Sequence, residues 1–167
     1  FPSYEIKDNV NNYLITTKTT LLEHQNMTKQ DRDTVIEKFK TYNKTGALLL
    51  AVSSGSFGEG IDLKGDFLKA VIVVGLPLAK PDLETKELIN YYDKKFFKGW
   101  EYGYTLPAIT KILQNAGRCI RSETDKGLIL FLDERYSWPT YYKCFPQEKN
   151  INITKIPEYM INQFFNE

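Results

Sequence analysis

Apolar runs alternate with amphipathic stretches along this chain, the pattern of a parallel sheet covered by helices. Leu14 to Glu23 is rich in Thr, Ile and Leu and predicts a strand. Asp31 to Tyr42 places Val35, Ile36 and Phe39 on one face and predicts a helix, with Thr28 as N-cap and Asp31 three residues on, where an acid favours a helix start. Ala47 to Val52, Leu68 to Val74 and Leu128 to Leu132 are continuous apolar runs, as strands buried on both faces should be. Gly75 and Pro77 stop the second run and Asp133 stops the third. Between these two, Leu83 to Phe97 and Thr105 to Ile120 predict helices, the latter with Pro107 in its first turn, where proline is tolerated. A Trp/Tyr-rich piece, a run around Ile151 to Ile156 and a helix from Pro157 close the chain. Phe1-Pro2-Ser3-Tyr4 reads as the end of a buried strand whose beginning lies outside the chain, which suggests a part of a larger protein.

Composition narrows the function classes. A chain of 167 residues with 42% hydrophobic and 14% aromatic residues can bury a proper core, which argues against disorder. A formal charge of +1 argues against a strongly basic nucleic-acid module and leaves room for a local basic groove. Cys119 and Cys144 are too few for a disulfide framework or a four-cysteine metal site, and read as reduced thiols of a cytosolic or nuclear protein; no metal ligands are assigned. No signal peptide and no membrane-spanning run is evident.

Two segments carry candidate chemistry. In Gln114-Asn115-Ala116-Gly117-Arg118-Cys119-Ile120-Arg121 the two arginines are three residues apart and share a face if helical. Arginine is always charged and grips phosphate oxygens through a planar fork. Gly117 inside a helix costs about 1 kcal/mol against Ala, and so invites a reason such as close approach of a ligand. The chain has no GxxxxGK[ST] loop, so a polyphosphate reached by these arginines would be held by another domain. The second segment, Ser53-Ser54-Gly55-Ser56-Phe57-Gly58-Glu59-Gly60-Ile61-Asp62, follows a buried strand, where open α/β sheets bind ligands. Its small residues expose backbone N–H groups as an anion nest, and Ser53, Ser54 and Ser56 add hydroxyls suited to phosphodiesters. Asp62 could orient an arginine or a water. Taken alone, the loop also reads as a mobile glycine loop without a ligand.

Taken in order, Phe1-Pro2-Ser3-Tyr4, Gly58-Glu59-Gly60-Ile61-Asp62, Gln114-x-x-Gly117-Arg118-x-x-Arg121, Asp125-x-Gly127 and Leu132-Asp133-x-Arg135 resemble the second motor domain of XPD/DinG-type superfamily 2 DNA helicases over almost the whole chain. The resemblance implies an α/β, RecA-like three-layer sandwich, a mostly parallel sheet with helices on both faces, and makes residues 1–167 the C-terminal motor lobe of a longer protein. Phe1 to Tyr4 corresponds to helicase motif IV, Ser53 to Asp62 to motif V and Gln114 to Arg121 to motif VI. It implies that Arg121 is an arginine finger for the γ-phosphate of ATP, with Arg118 its partner and Gln114 the polar residue opening the motif. By the same resemblance Gly60 and Asp62 would link the nucleotide cleft to the DNA track and Ser3 and Tyr4 would lie near the single-stranded DNA backbone, where Ser53, Ser54 and Ser56 are also expected to bind. An arginine finger can be worth about 10³–10⁵ in rate.

The same resemblance implies 5′-to-3′ helicase activity in DNA repair, in the cytoplasm of a prokaryote or the nucleus of a eukaryote. It also implies ATP and Mg²⁺ held mainly by a first motor domain, a 4Fe-4S cluster in that missing part, and repair or transcription-factor subunits as partners. The loop departs from the family: XPD proteins carry Gly-Gly-Lys and then Ser before Glu-Gly, and DinG-like members have a Trp where this chain has Gly58. The alternative reading is a non-motor docking module for single-stranded DNA or protein; a free-standing nucleotide enzyme fits poorly without a phosphate-holding lysine loop. Among the remaining features, His24 reads as a capping or surface residue. The aromatic set Tyr91, Tyr92, Phe96, Phe97, Trp100, Tyr102 and Tyr104, with Lys94, Lys95 and Lys98 among it, reads either as a base-stacking surface or, on its helical spacing, as the core of a helical insertion. Tyr141, Tyr142 and Phe145 are expected to pack the C-terminal helices on the sheet.

Overall fold

The computed structural model describes residues 1–58, 67–78, 80–117, 120, 126–146 and 151–166. Its strands are parallel, as the continuous apolar runs predict. β1 (Thr19–Leu22) pairs with β2 (Ala47–Leu50), Thr19 opposite Ala47 and Leu22 opposite Leu50. β3 (Ala70–Val74) pairs with β4 (Leu128–Leu132), Ala70 opposite Leu128 and Val74 opposite Leu132. Among the described residues these are two separate two-stranded ladders.

Parallel strands need long crossovers. The first carries α2 (Lys29–Thr41), which starts where the sequence predicts: the Asp31 N–H donates to Thr28 Oγ1 at 3.2 Å while the Thr28 N–H donates to Asp31 Oδ2 at 3.0 Å, a reciprocal capping box. The second carries α3 (Leu83–Phe96), a π-helical turn (Glu101–Thr105) and α4 (Leu106–Ala116). Asp82 caps α3 by accepting the Thr85 N–H at 2.8 Å. Each ladder has its own core. Leu21, Phe39 and Phe57 are buried at the first, with Val35 and Ile36 of α2 packed on them. Val73, Leu76, Ile109, Ile112, Ala116, Tyr136 and Phe145 are buried at the second.

Three expectations change. Phe1 to Ser3 form no strand, although Phe1 bonds in the alternation of a parallel ladder: its amino group donates to Ala51 O at 2.9 Å and its carbonyl accepts the Ser53 N–H at 2.8 Å. The chain then turns into a helix that the periodicity does not announce, α1 (Tyr4–Tyr13), with Ser3 as its N-cap. The first strand runs over four residues rather than Leu14 to Glu23, because Ile15 is 99% exposed and has nothing to pack on. The helix expected over Thr105 to Ile120 ends at Ala116, and Gly117 is its C-cap rather than an interior glycine.

After β4 come a 3₁₀ turn (Glu134–Ser137), α5 (Pro139–Tyr142) and α6 (Pro157–Asn166). Phe145 packs as expected, its ring 5.2 Å from Phe131 and 6.0 Å from Tyr136, while the Tyr136 hydroxyl donates to Gly75 O at 2.8 Å. Among the described residues no helix is long and apolar enough to cross a membrane.

Candidate nucleic-acid and nucleotide interface

The carboxyl edge of the β1–β2 ladder is where the predicted site residues meet. β1 ends at Leu22, and the Glu23 N–H donates to Leu50 O at 2.9 Å, which carries the ladder one residue further. The Glu23 side chain is fully buried. It accepts the backbone N–H of Val52 at 2.7 Å, that of Ser56 through a short hydrogen bond, and the hydroxyl of Tyr4 at 3.2 Å. The loop's small residues predict exposed N–H groups for a ligand anion; instead the N–H groups of Val52 and Ser56 are taken up by the chain's own carboxylate. Sequence reasoning missed Glu23; the available signal was an acid directly behind an apolar strand, at the edge where the loop's donors gather.

The loop's shape depends on its glycines. A Cβ on Gly55 would overlap the Glu23 carboxylate, lying 2.7 Å from its Cδ. One on Gly58 would overlap the Ser53 carbonyl. The departure at position 58, where DinG-like proteins carry Trp, thus goes with a tightly folded turn in which the Gly55 N–H donates to Val52 O at 2.9 Å and the Gly58 N–H to Gly55 O at 3.1 Å. Phe57, between them, is buried against Leu21 and Phe39 and pins the loop to the core. Ser54 is exposed, and Ser53 and Ser56 are half-buried.

Motif IV comes to the same place. Ser3 Oγ accepts the Ile6 N–H at 3.3 Å as the cap of α1, and Tyr4 opens the helix with its hydroxyl on Glu23. Burial and the neighbouring Glu23 carboxylate push the Tyr4 phenol up, so it remains a proton donor at neutral pH. Pro2 lies beside Gly75 at the end of β3, its Cγ 3.3 Å from where a Cβ would stand. Residues 1–4 thereby touch both ladders.

The end of α4 approaches from the other side. Asn115 Nδ2 stands 3.5 Å from Ser53 O, a long polar contact, and Gln114 beside it is exposed. Among the described residues, a Cβ on Gly117 would meet nothing within 4 Å. The structure thus brings together Ser3, Tyr4, Ser53 and Ser56 through Glu23 and Phe1, with Gln114 one residue from the contact to Ser53. Gly60, Asp62, Arg118 and Arg121 lie outside the described residues. Among the described residues no group of His, Cys, Asp and Glu could hold a metal ion.

Other sequence features resolve separately. In the aromatic segment the Tyr92 ring meets Phe96 at 6.2 Å and Tyr102 at 5.9 Å, and Gly103 packs so closely on α3 that a Cβ there would lie 2.8 Å from Ile89 Cα. The rings pack on one another at the surface, with Tyr91 and Phe96 about half exposed. Lys95 Nζ sits 5.2 Å from the Phe96 ring centre and Lys98 Nζ 5.4 Å from that of Tyr102, so these lysines lie on the rings. Phe97 and Trp100 remain exposed. Asp133 and Arg135 form a two-pronged ion pair, with Nε on Oδ1 at 2.9 Å and Nη2 on Oδ2 at 2.6 Å.

Comparison with known proteins agrees with this geometry. Residues 1–150 match the helicase C-terminal domain family. The chain is 33% identical over 155 residues to the Fanconi anemia group J protein homolog of Gallus gallus, which covers 81% of this chain and 12% of that protein. It is 31% identical over 156 residues to the ATP-dependent DNA helicase XPD of Sulfolobus acidocaldarius, covering 89% of this chain and 27% of that protein. The solved structure of an XPD helicase superposes with a TM-score of 0.63 at 28% identity, over 86% of this chain and 26% of that one. The chain therefore spans only a fraction of the length of the relatives it matches. The match over most of its length, in sequence and in fold, shows that the chain belongs to the helicase C-terminal domain family, as a RecA-like motor domain of the XPD/DinG type.

Proposed function

We propose that this domain is the second lobe of an ATP-dependent 5′-to-3′ DNA helicase, closing on a nucleotide held by a first motor domain elsewhere in the full-length protein. The observation that carries the reading is the meeting of four segments at one sheet edge: Tyr4 on Glu23, Glu23 on Val52 and Ser56 of the loop after β2, and Asn115 at the end of α4 against Ser53. This edge is where open α/β sheets bind ligands. The residues suit a lobe that touches ATP from one side: Gln114 is exposed, and among the described residues nothing lies within 4 Å of where a Cβ on Gly117 would stand. Arg121 would serve as the finger at the γ-phosphate, with Arg118 beside it, Gln114 opening the motif, and Gly60 and Asp62 joining the nucleotide side to the DNA side. Ser3, Tyr4, Ser53, Ser54 and Ser56 would line the single-stranded DNA track, the serine hydroxyls on phosphodiester oxygens. When bound, ATP with Mg²⁺ supplies the free energy of phosphoryl transfer, and an arginine delivered across the cleft stabilises charge on the transferring group. A 4Fe-4S cluster belongs to the rest of the protein in this reading, as do repair or transcription-factor partners.

Arg121→Ala in the full-length protein tests it. DNA-stimulated ATP hydrolysis should fall by about 10³-fold or more while single-stranded DNA binding is largely kept. Normal turnover in that variant rejects the finger. Single-stranded DNA binding without any DNA-stimulated hydrolysis in the wild type favours the docking-module reading instead.

A further inference from the structure

Glu23 sits where a charge is costly. It is fully buried, one residue past β1, and its backbone is held by the ladder bond to Leu50. Three neutral donors converge on its carboxylate: the N–H groups of Val52 and Ser56 and the hydroxyl of Tyr4. An ionised carboxylate only accepts, so one side chain satisfies all three. The loop is built around it, since Gly55 leaves space for the carboxylate that a methyl group would fill. The donors come from two segments far apart in sequence, the first turn of α1 and the loop after β2.

We propose that Glu23 is a positioning residue that locks the 53–58 loop to the first turn of α1, so that the loop serines and Tyr4 form one rigid grip on single-stranded DNA. Glu23 itself does not touch the strand. The proposal rests on the motor-lobe reading and adds to it a residue outside the helicase motifs. Without the carboxylate the two halves of the grip move independently, and the ordering entropy returns as a cost of binding.

The test uses the full-length protein with Glu23→Gln, Glu23→Asp and Tyr4→Phe. Glutamine keeps the size of the side chain and turns one acceptor into a donor facing other donors. Hydrogen exchange of residues 51–58 should accelerate by about tenfold in Glu23→Gln, with residues 47–50 unchanged. Half-saturation with an oligothymidylate should weaken by about tenfold, while KM for ATP stays within about twofold. Glu23→Asp, which keeps the charge on a shorter arm, should fall between wild type and Glu23→Gln. Tyr4→Phe removes one bond and no packing, so it carries the test if the buried substitution fails to fold; it should weaken oligothymidylate binding about threefold.

Wild-type DNA affinity in both Tyr4→Phe and Glu23→Gln overturns the assignment, as does a rise in KM for ATP as large as the loss of DNA affinity. A wild-type protein that neither binds oligothymidylate nor shows DNA-stimulated hydrolysis overturns the motor reading and this assignment with it, and does so before any substitution is made.

Discussion

The Glu23 carboxylate occupies the space that a side chain at Gly55 would need, with its Cδ 2.7 Å from where a Cβ would stand. The contact joins the end of one strand to the loop of the next and leaves no freedom at either residue. Gly55→Ala should therefore overpack the loop and cost about 1–3 kcal/mol. A drop in the thermal midpoint of the domain of at least about 2 °C checks this, and an unchanged midpoint contradicts it.

Asp133 and Arg135 make stability depend on acid. The Arg135 guanidinium hydrogen-bonded to it holds the Asp133 carboxyl below its ordinary value of 3.8. A depressed carboxyl binds fewer protons folded than unfolded, so its contribution is complete above the ordinary value and is lost as pH falls through it towards the folded value. Asp133→Asn keeps the side-chain oxygen that accepts the Arg135 N–H at the start of the 3₁₀ turn and removes the charge. Wild type should exceed this variant in thermal midpoint by a constant margin at neutral pH, and the margin should shrink below about pH 4. A margin that grows on acidification contradicts the assignment.

How much of this was legible in the sequence depends on how local each cause is. The capping box of α2 was, because Thr28 and Asp31 are three residues apart and complete it between them. The strands were, because Ala47–Leu50, Ala70–Val74 and Leu128–Leu132 are apolar throughout, although Ile72 and Leu132 are exposed rather than buried on both faces. α1 was not. Its segment holds Asp8, Asn9, Asn11 and Asn12, poor helix formers, and its one buried residue is Lys7 while Ile6 and Tyr13 are exposed. A periodicity argument reads that face inside out. Of the candidate site, the loop serines were named from their place after an apolar strand and Tyr4 from motif order, while Glu23 was not named. An acid directly behind an apolar strand was the one local signal; the role of Glu23 lies in contacts with residues 4, 52 and 56, which that signal does not specify.

Lys7 offers a stabilising change. Its side chain is 1% exposed and ion-paired to Asp8, whose own side chain is 60% exposed. A buried cation tied to a solvated partner recovers little of its desolvation cost. Lys7→Met keeps the length of the side chain and leaves Asp8 free to hydrate. It should raise stability by about 1 kcal/mol, seen as a thermal midpoint higher by about 2–4 °C. A lower midpoint would show that the ammonium holds a structural partner.

In the proposed reading, this lobe couples a nucleotide at Arg118 and Arg121 to a DNA strand at the loop after β2. Single-stranded DNA affinity of the full-length protein, measured with ADP and with a non-hydrolysable ATP analogue, tests it most directly. In wild type the two affinities should differ by about fivefold or more, and in Arg121→Ala the difference should vanish. An undiminished difference in Arg121→Ala would contradict the account.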